Sequence, residues 1–204
     1  MEVDGQNKHQ ITHQLKDCGE PHYLAMSALN YPEYDEKVRW ITFTSTAAGT
    51  YEEWGSALAT SLYVQNLDPI MGRGVVNWRI TFNLSSDFSP TVLHDGRTLF
   101  TSHQMGDRKQ NSVGRFLLLA SNWDGTGLNL YCGDEKGHRM KTMACEMPDR
   151  TLVFVDSDGN TPDGSGELAR VSFRRPLHSY EPLSKGEGRY RNPQSLPDGS
   201  LLVS

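Results

Sequence analysis

The chain has 204 residues, a formal net charge of −5 and 36% hydrophobic residues. The negative charge disfavours a nucleic-acid partner, because phosphate binding needs clustered Lys and Arg side chains. No segment approaches the roughly 18 consecutive apolar residues of a transmembrane helix, which excludes a helical membrane span. Cys18, Cys132 and Cys145 form no CxxC or CxxCH motif, so the sequence carries neither a zinc-finger nor a haem-attachment signature.

The beginning of the chain matches a later segment at a fixed spacing. An outer strand is predicted within residues 1–16, and a turn with a proline follows it. The same residue types return 69 positions later. The matching pairs are Ile11 and Ile80, Thr12 and Thr81, and Pro21 and Pro90. Three matches in one ungapped register indicate a repeated structural unit.

A β-favouring segment also recurs four times, usually after a tight turn. The four copies are Trp40–Ser45, Thr98–Ser102, Thr151–Asp156 and Ser200–Ser204. Their equivalent residues are Phe43, Phe100, Phe154 and Val203, at spacings of 57, 54 and 49. We expect the three phenylalanines to be buried within or between the repeated units. Before the second copy, Asp95-Gly96 predicts a type I′ hairpin turn, because Gly adopts φ > 0 without steric cost.

Third and fourth strands are predicted after each hairpin, so that each unit contains four antiparallel strands. Four-stranded units at a regular period are typical of a β-propeller. We therefore predict an all-β fold, with residues 1–204 forming one arc of about three to four blades. The outer strand lies at 1–16, the blades at 17–83, 84–135 and 136–180, and the start of the next blade at 181–204. We expect the remaining blades of a larger propeller to pack against this arc.

The repeat grammar, Ile-Thr, Asp, Pro, Asp-Gly and Phe-Thr-Ser in that order, resembles the TolB-like propeller repeats of bacterial periplasmic proteins. Four segments more narrowly resemble the middle domain of the hydrazine synthase alpha-subunit family. They are 16–22 (KDCGEPH), 40–50 (WITFTSTAAGT), 84–90 (LSSDFSP) and 196–204 (LPDGSLLVS). The resemblance implies an exported bacterial protein, periplasmic or secreted. The family makes hydrazine from nitric oxide and ammonium at c-type haems, but without a CxxCH motif this activity is assigned to no residue here.

A metal site is one hypothesis for the first inner strand. Cys18, Glu20 and His22 lie within five residues, and a thiolate, a carboxylate and an imidazole suit a transition metal such as zinc. In a straight strand, Cys18 and His22 would project from the same side of the sheet. The alternative is structural, with Glu20 accepting hydrogen bonds in a turn or from the next blade.

A polar ring around the propeller channel is the second hypothesis. The repeat alignment places His22, Thr91, Cys145 and Gln194 at one equivalent position on the inner strands, which line the channel of a propeller. Further candidates for channel lining are Asp17, Glu20, Asp87, His103 and Glu146. Such a ring would bind a protein partner or a small ligand at the channel mouth. The alternative is that these side chains hydrogen-bond the backbone of the adjacent blade.

Two functions remain open on the sequence. The first is a non-catalytic, exported β-propeller module for binding or scaffolding, with no cofactor evident in this chain. The second is a part of a multihaem oxidoreductase of hydrazine synthase type, whose c-type haems lie outside this stretch. Residues 1–5 have neither the basic nor the apolar region of a signal peptide. Either the protein is not secreted, or its signal lies upstream.

Overall fold

The structure is an all-β arc of a β-propeller. The computed structural model describes residues 6, 10–13, 15–24, 38–53, 55–69, 74–105, 114–133, 140–159, 161, 163–186 and 188–204. These residues contain one turn of 3-10 helix, Pro176–His178, and none of them forms a helix long and apolar enough to cross a membrane. The remaining regular structure is β-strand.

Three four-stranded antiparallel blades follow one another along the chain, and a hairpin follows the third. The first blade contains β1 (Cys18–Tyr23), β2 (Trp40–Ser45), β3 (Ser61–Asn66) and β4 (Asn77–Arg79). The second contains β5 (Asp87–Val92), β6 (Thr98–Gln104), β7 (Arg115–Ser121) and β8 (Asn129–Cys132). The third contains β9 (Met140–Glu146), β10 (Thr151–Ser157), β11 (Glu167–Ser172) and β12 (Glu181–Pro182), and β13 (Gln194–Ser195) pairs with β14 (Leu201–Leu202).

The strand β12 refines the expected blade boundaries. It pairs with β11 through Ala169 and Pro182, so it is the outer strand of the third blade, although its residues were expected to begin the next one. The predicted outer strand at 1–16 lies partly outside the described residues, and no strand forms among those of its residues that are described. Residues 25–37, which the sequence indicates as an insertion in place of the tight turn before β2, also lie outside the described residues.

The hydrophobic core lies between the blades, because the central strands are buried on both faces. In β10, Leu152 and Phe154 pack against the second blade, while Val153 and Val155 pack towards the terminal hairpin. A strand enclosed on both sides needs apolar side chains at successive positions, and the sequence of β10 supplies them. The interface between the first two blades is aromatic-rich: Trp78 of the first blade and Trp123 of the second are in edge-to-face contact, with ring centroids 5.8 Å apart.

The equivalence of the three phenylalanines is confirmed. Phe43, Phe100 and Phe154 are each at most 1% exposed. Phe100 packs against residues of the first blade and Phe154 against residues of the second, so each of these two side chains faces the preceding blade. The repeat register that was read from the sequence therefore describes the real packing of the blades.

The predicted type I′ turn at Asp95-Gly96 is wrong. Gly96 has a φ of 88°, and Asp95 is not among the residues with positive φ. The backbone N–H of Gly96 donates to the Leu93 carbonyl, and that of Leu93 donates to the Arg97 carbonyl. This is a type I turn closed by a left-handed residue, which is the common three-residue hairpin loop. The Asp95 carboxylate favours it by accepting a hydrogen bond from the Arg97 N–H at 3.1 Å.

Each complete inner strand contains a β-bulge at the same place. In β1, Gly19 pairs with Thr44 but His22 pairs with Thr42, so three steps on one strand oppose two on the other. The strands β5 and β9 repeat this shift. The residues that open the bulges, and Asn192 at the equivalent point before β13, have positive φ. They are Glu20, Ser89, Met143 and Asn192, with φ of 51°, 49°, 52° and 46°.

Candidate functional site

The four inner strands carry one position that is equivalent in the repeat. The partners on the adjacent strands fix the equivalence, because they occupy the same place in each blade. The pairs are His22 with Thr42, Thr91 with Leu99, Cys145 with Val153, and Gln194 with Leu202. The position therefore carries an imidazole, a hydroxyl, a thiol and an amide, as the repeat alignment predicted.

The bulges connect neighbouring blades. Glu20 accepts a hydrogen bond from the backbone N–H of Ser89 at 2.9 Å, and its other carboxylate oxygen lies 3.4 Å from the Ser89 hydroxyl. The Thr142 hydroxyl contacts the Ser89 hydroxyl at 3.2 Å, and the N–H of Asn192 lies 3.4 Å from the sulfur of Met143. A bulge leaves one residue out of the strand ladder, which here frees its groups for the next blade. The alternative role of Glu20, as an acceptor between blades, is thus confirmed.

A cavity of about 210 Å³, called the inner cavity here, lies where the bulges meet. All four inner segments contribute to it, and its lining includes Glu20, His22, Ser89, Met143, Asn192 and Gln194. Desolvation of the imidazole lowers the pKa of His22, and the nearby Glu20 carboxylate opposes this effect. Lowering the pKa favours the neutral imidazole at neutral pH, so His22 can donate one hydrogen bond and accept another.

A larger cavity of about 680 Å³, called the end cavity here, lies where the inner strands of the second and third blades end, beside β13. Thr91, Cys145, Glu146 and Gln194 line it. The Glu146 carboxylate accepts a hydrogen bond from the backbone N–H of His94 at 2.6 Å and therefore bridges two blades. Burial raises the pKa of the Cys145 thiol to about 11, so it remains protonated and is a poor nucleophile or metal ligand at neutral pH.

Three of the candidates for channel lining lie away from both cavities. Asp17 is exposed, and its backbone carbonyl accepts a hydrogen bond from the Thr46 N–H at 3.2 Å. His103 has its Nδ1 3.3 Å from a carboxylate oxygen of Glu52, and its ring stacks on Phe116 at 4.2 Å. Asp87 is 1% exposed and faces the first blade rather than the channel. Its strand contains the bulge between Phe88 and Thr91, which places Asp87 and Thr91 on opposite faces.

The same bulge geometry alters the expected arrangement of Cys18 and His22. Their partners are Ser45 and Thr42, which are three residues apart on β2 and therefore project from opposite faces of the sheet. The expectation of a common face is wrong, because the sequence spacing of four contains one bulged residue. The Cys18 thiol lies 3.1 Å from the Lys16 carbonyl as a hydrogen-bond donor. Among the described residues, no group of three or more His, Cys, Asp or Glu side chains could hold a metal ion.

The sequence reasoning missed a buried ionic cluster in the third blade. Lys141 and Asp156 are at most 1% exposed, and the Lys141 Nζ lies 3.2 Å from an Asp156 carboxylate oxygen. The Tyr180 hydroxyl donates to the other oxygen at 2.5 Å. The repeat alignment contained a usable signal, because Lys141 and Asp156 occupy the paired positions held by Asp87 and Ser102 in the second blade.

Comparison with known proteins finds a relative along the whole chain. Hydrazine synthase subunit alpha of Kuenenia stuttgartiensis is 30% identical over 245 residues, and the match covers 100% of this chain and 30% of that protein. A solved structure of Kuenenia stuttgartiensis hydrazine synthase matches with a TM-score of 0.83 at 28% identity, over 100% of this chain and 31% of that one. No family model matches, so the TolB-like repeat type stays a prediction. The chain is thus similar, from one end to the other, to about 30% of the length of hydrazine synthase subunit alpha.

Proposed function

We propose that this chain is a non-catalytic propeller module that binds a protein partner or a small ligand along its inner strands, at the inner cavity and the end cavity. The observation that supports this most directly is the convergence of four inner segments on the inner cavity, where Glu20, His22 and Gln194 present different polar groups. The end cavity shares Gln194 with the inner cavity, so the two form neighbouring subsites. A rigid frame with a few convergent polar groups is typical of binding sites.

The chemistry of the two cavities favours binding over catalysis. The Cys145 thiol is protonated at neutral pH because its pKa is raised, and Glu146 already accepts a hydrogen bond from the His94 N–H. These groups can recognise hydrogen-bond donors and acceptors without transferring protons or electrons. The partner we favour is another part of the protein or complex in which the chain occurs, and we place that protein in the periplasm or outside the cell.

The second candidate function is membership of a multihaem oxidoreductase of hydrazine synthase type. The similarity to Kuenenia stuttgartiensis hydrazine synthase, at a TM-score of 0.83 over this whole chain, favours it. Because the chain spans about 30% of the related subunit, the haem groups would lie elsewhere in the protein. The role of this chain in such an enzyme would be to position other parts, which agrees with the scaffolding role proposed above.

The test compares the purified chain with the natural protein or complex that contains it. We expect the chain to show no Soret absorption and to form no hydrazine from nitric oxide and ammonium, yet to bind the remaining components saturably in size-exclusion and calorimetric assays. Gln194→Arg, which places a bulky cation between the two cavities, should weaken this binding at least about tenfold. Arg174→Ala, an exposed change in the third blade, is the matched control and should leave binding unchanged.

Two results would overturn the proposal. Hydrazine formation or haem binding by the purified chain would refute the non-catalytic role. Equal binding by the Gln194→Arg and Arg174→Ala proteins would refute the inner cavity and the end cavity as the binding surface. Haem absorption in the natural protein, with none in this chain, would support the second candidate function together with the scaffolding role.

A further inference from the structure

A third cavity, called the interblade cavity here, lies between the first two blades and shares no lining residue with the inner cavity or the end cavity. It has a volume of about 370 Å³, within the range of small-molecule sites. Apolar side chains form much of its wall, and Asp87, Asn83 and Ser121 add polar groups. The apolar members are Ile80, Phe82, Phe100, Leu119 and Leu128. None of the proposals above uses this cavity.

The carboxylate of Asp87 is the main polar group in this wall. One of its oxygens accepts hydrogen bonds from the Ser102 hydroxyl at 2.5 Å and the Asn83 amide at 3.2 Å, and the Thr81 hydroxyl also contacts the carboxylate. All three donors are uncharged. Burial raises the pKa of Asp87 and outweighs the opposing effects of these three hydrogen bonds and of the Arg79 charge.

The described part of the chain supplies no ion-pair partner for this carboxylate. Arg79 is the cation whose charge reaches Asp87, but its guanidinium donates to the Thr81 carbonyl at 2.6 Å and lies over the Phe82 ring at 4.8 Å. A buried carboxylate without a counter-charge is costly, so it either takes up a proton or pairs with a cation in direct contact. In the interblade cavity, a bound ligand can supply that cation.

A second polar group in the wall is also unsatisfied. The Ser121 hydroxyl is buried and has no hydrogen-bond partner in the described structure. Buried hydroxyl groups are normally paired, so an unpaired one beside a cavity indicates a place for a ligand atom. The backbone of Gly125 closes one side, since a Cβ at this position would clash with the Ile80 carbonyl oxygen. The exposed side chains of Phe82 and Leu128 lie at the solvent side.

We propose that the interblade cavity binds a small organic ammonium ion with an apolar body. The ammonium group donates to the Asp87 carboxylate, and the apolar body lies against Ile80, Phe100 and Leu119. A hydroxyl or amine group on the ligand can in addition pair with Ser121. Primary amines fit best, because they combine a compact charge with several N–H donors for one carboxylate.

The test uses a pair of probes with the same shape and different charge. Phenethylammonium and its neutral isostere, phenethyl alcohol, are titrated into the purified protein by isothermal calorimetry at neutral pH. We expect the ammonium to bind saturably and at least about tenfold more tightly than the alcohol. Asp87→Asn should remove this preference, weakening ammonium binding about tenfold while changing alcohol binding less than about twofold.

A second variant tests the location without altering the charge. Leu128→Trp enlarges an exposed side chain at the cavity wall and should weaken both probes, whereas Leu177→Trp, an exposed change in the third blade, should affect neither. Equal affinity for the two probes, or no saturable binding in the folded protein, would overturn the proposal. Ammonium binding that persists in both Asp87→Asn and Leu128→Trp would also overturn it. Should Asp87→Asn fail to fold, the probe comparison and Leu128→Trp still decide.

Discussion

The second and third blades bury a carboxylate at the same pair of positions in the repeat, but they compensate it differently. In the second blade, the inner strand supplies Asp87, and uncharged groups such as Ser102 hydrogen-bond it. In the third blade the order is reversed: the inner strand supplies Lys141, and the adjacent strand supplies Asp156. One carboxylate has a cation from the chain itself, and the other has none within ion-pair distance among the described residues.

This difference shows how a repeat can keep its backbone while changing its chemistry. The paired positions have the same register in both blades, so the strands do not have to move to accept a salt bridge in place of a carboxylate–hydroxyl pair. Burial and the neighbouring Asp156 carboxylate raise the pKa of Tyr180, which keeps its hydroxyl a hydrogen-bond donor. In the third blade, the Lys141 ammonium neutralises the buried Asp156 carboxylate. In the second blade, Asp87 is the site that we propose for an external cation.

The largest expected effect comes from removing the cation of the third blade. Lys141→Met leaves Asp156 buried without its ion-pair partner, and we expect it to lower the free energy of unfolding by about 3–5 kcal/mol. Urea denaturation at neutral pH measures the loss. The double variant Lys141→Met/Asp156→Leu is the control, because replacing both charges with apolar groups should recover most of the stability. A loss below about 1 kcal/mol in the single variant would contradict the buried pair.

The second blade should reveal its uncompensated carboxylate through pH. The folded pKa of Asp87 is raised by burial, so its contribution to stability is fully present below its unfolded pKa and is lost as pH rises through the folded pKa. The free energy of unfolding of the unmodified chain, relative to that of the Asp87→Asn variant, should therefore fall with increasing pH. A pKa difference of one between the folded and unfolded chain corresponds to about 1.4 kcal/mol. Urea melts of both proteins across the acid-to-neutral range measure it, and parallel curves would contradict it.

The repeat register explains how much of this arrangement the sequence could predict. Phe43, Phe100 and Phe154 have the same burial requirement in each blade, so their spacing gave the strand order and the blade architecture correctly. The same alignment also placed His22 and Gln194 at equivalent inner positions, and the strand pairing confirms this equivalence. Properties imposed by packing on every repeat are thus visible in the sequence.

The bulges, and the chemistry that differs from blade to blade, were not visible in the same way. A bulge adds one residue and reverses the face of everything beyond it, so the four-residue spacing of Cys18 and His22 misled the metal hypothesis. Asp87 was expected near the channel together with Thr91, but the bulge between them places the two side chains on opposite faces. The pairing of Lys141 with Asp156 could be found only by comparing the blades, because these residues take the paired positions of Asp87 and Ser102 but differ from them in type.

The hairpin turns offer a smaller comparison between the same two blades. Gly96 and Arg150 occupy the same left-handed position, with φ of 88° and 66°, but a side chain pays a steric cost there that glycine does not. Arg150→Gly should therefore stabilise the protein by about 0.5–1 kcal/mol. Gly96→Ala should destabilise it by about 1 kcal/mol, since a Cβ at Gly96 would meet no atom within 4 Å and the cost is purely conformational. Thermal melts of the two variants should shift in opposite directions, and a shared direction would show that the turns differ.

The smallest effect concerns the carboxylate of the third-blade turn. Asp149 accepts hydrogen bonds from the Thr151 hydroxyl at 2.6 Å and the Thr151 N–H at 2.9 Å, and the hydroxyl is the main reason that its pKa is lowered. Its stabilising contribution is present above its unfolded pKa and is lost as pH falls through the folded pKa, opposite to Asp87. Asp149→Ala should cost less than about 1 kcal/mol at neutral pH, because the group is exposed, and almost nothing in strong acid. Thr151→Val is the matched control: it removes the hydroxyl and keeps the N–H, so it should abolish part of the pH dependence. An Asp149→Ala cost that stays constant from neutral to acid pH would mean that the turn is held by its backbone rather than by the carboxylate.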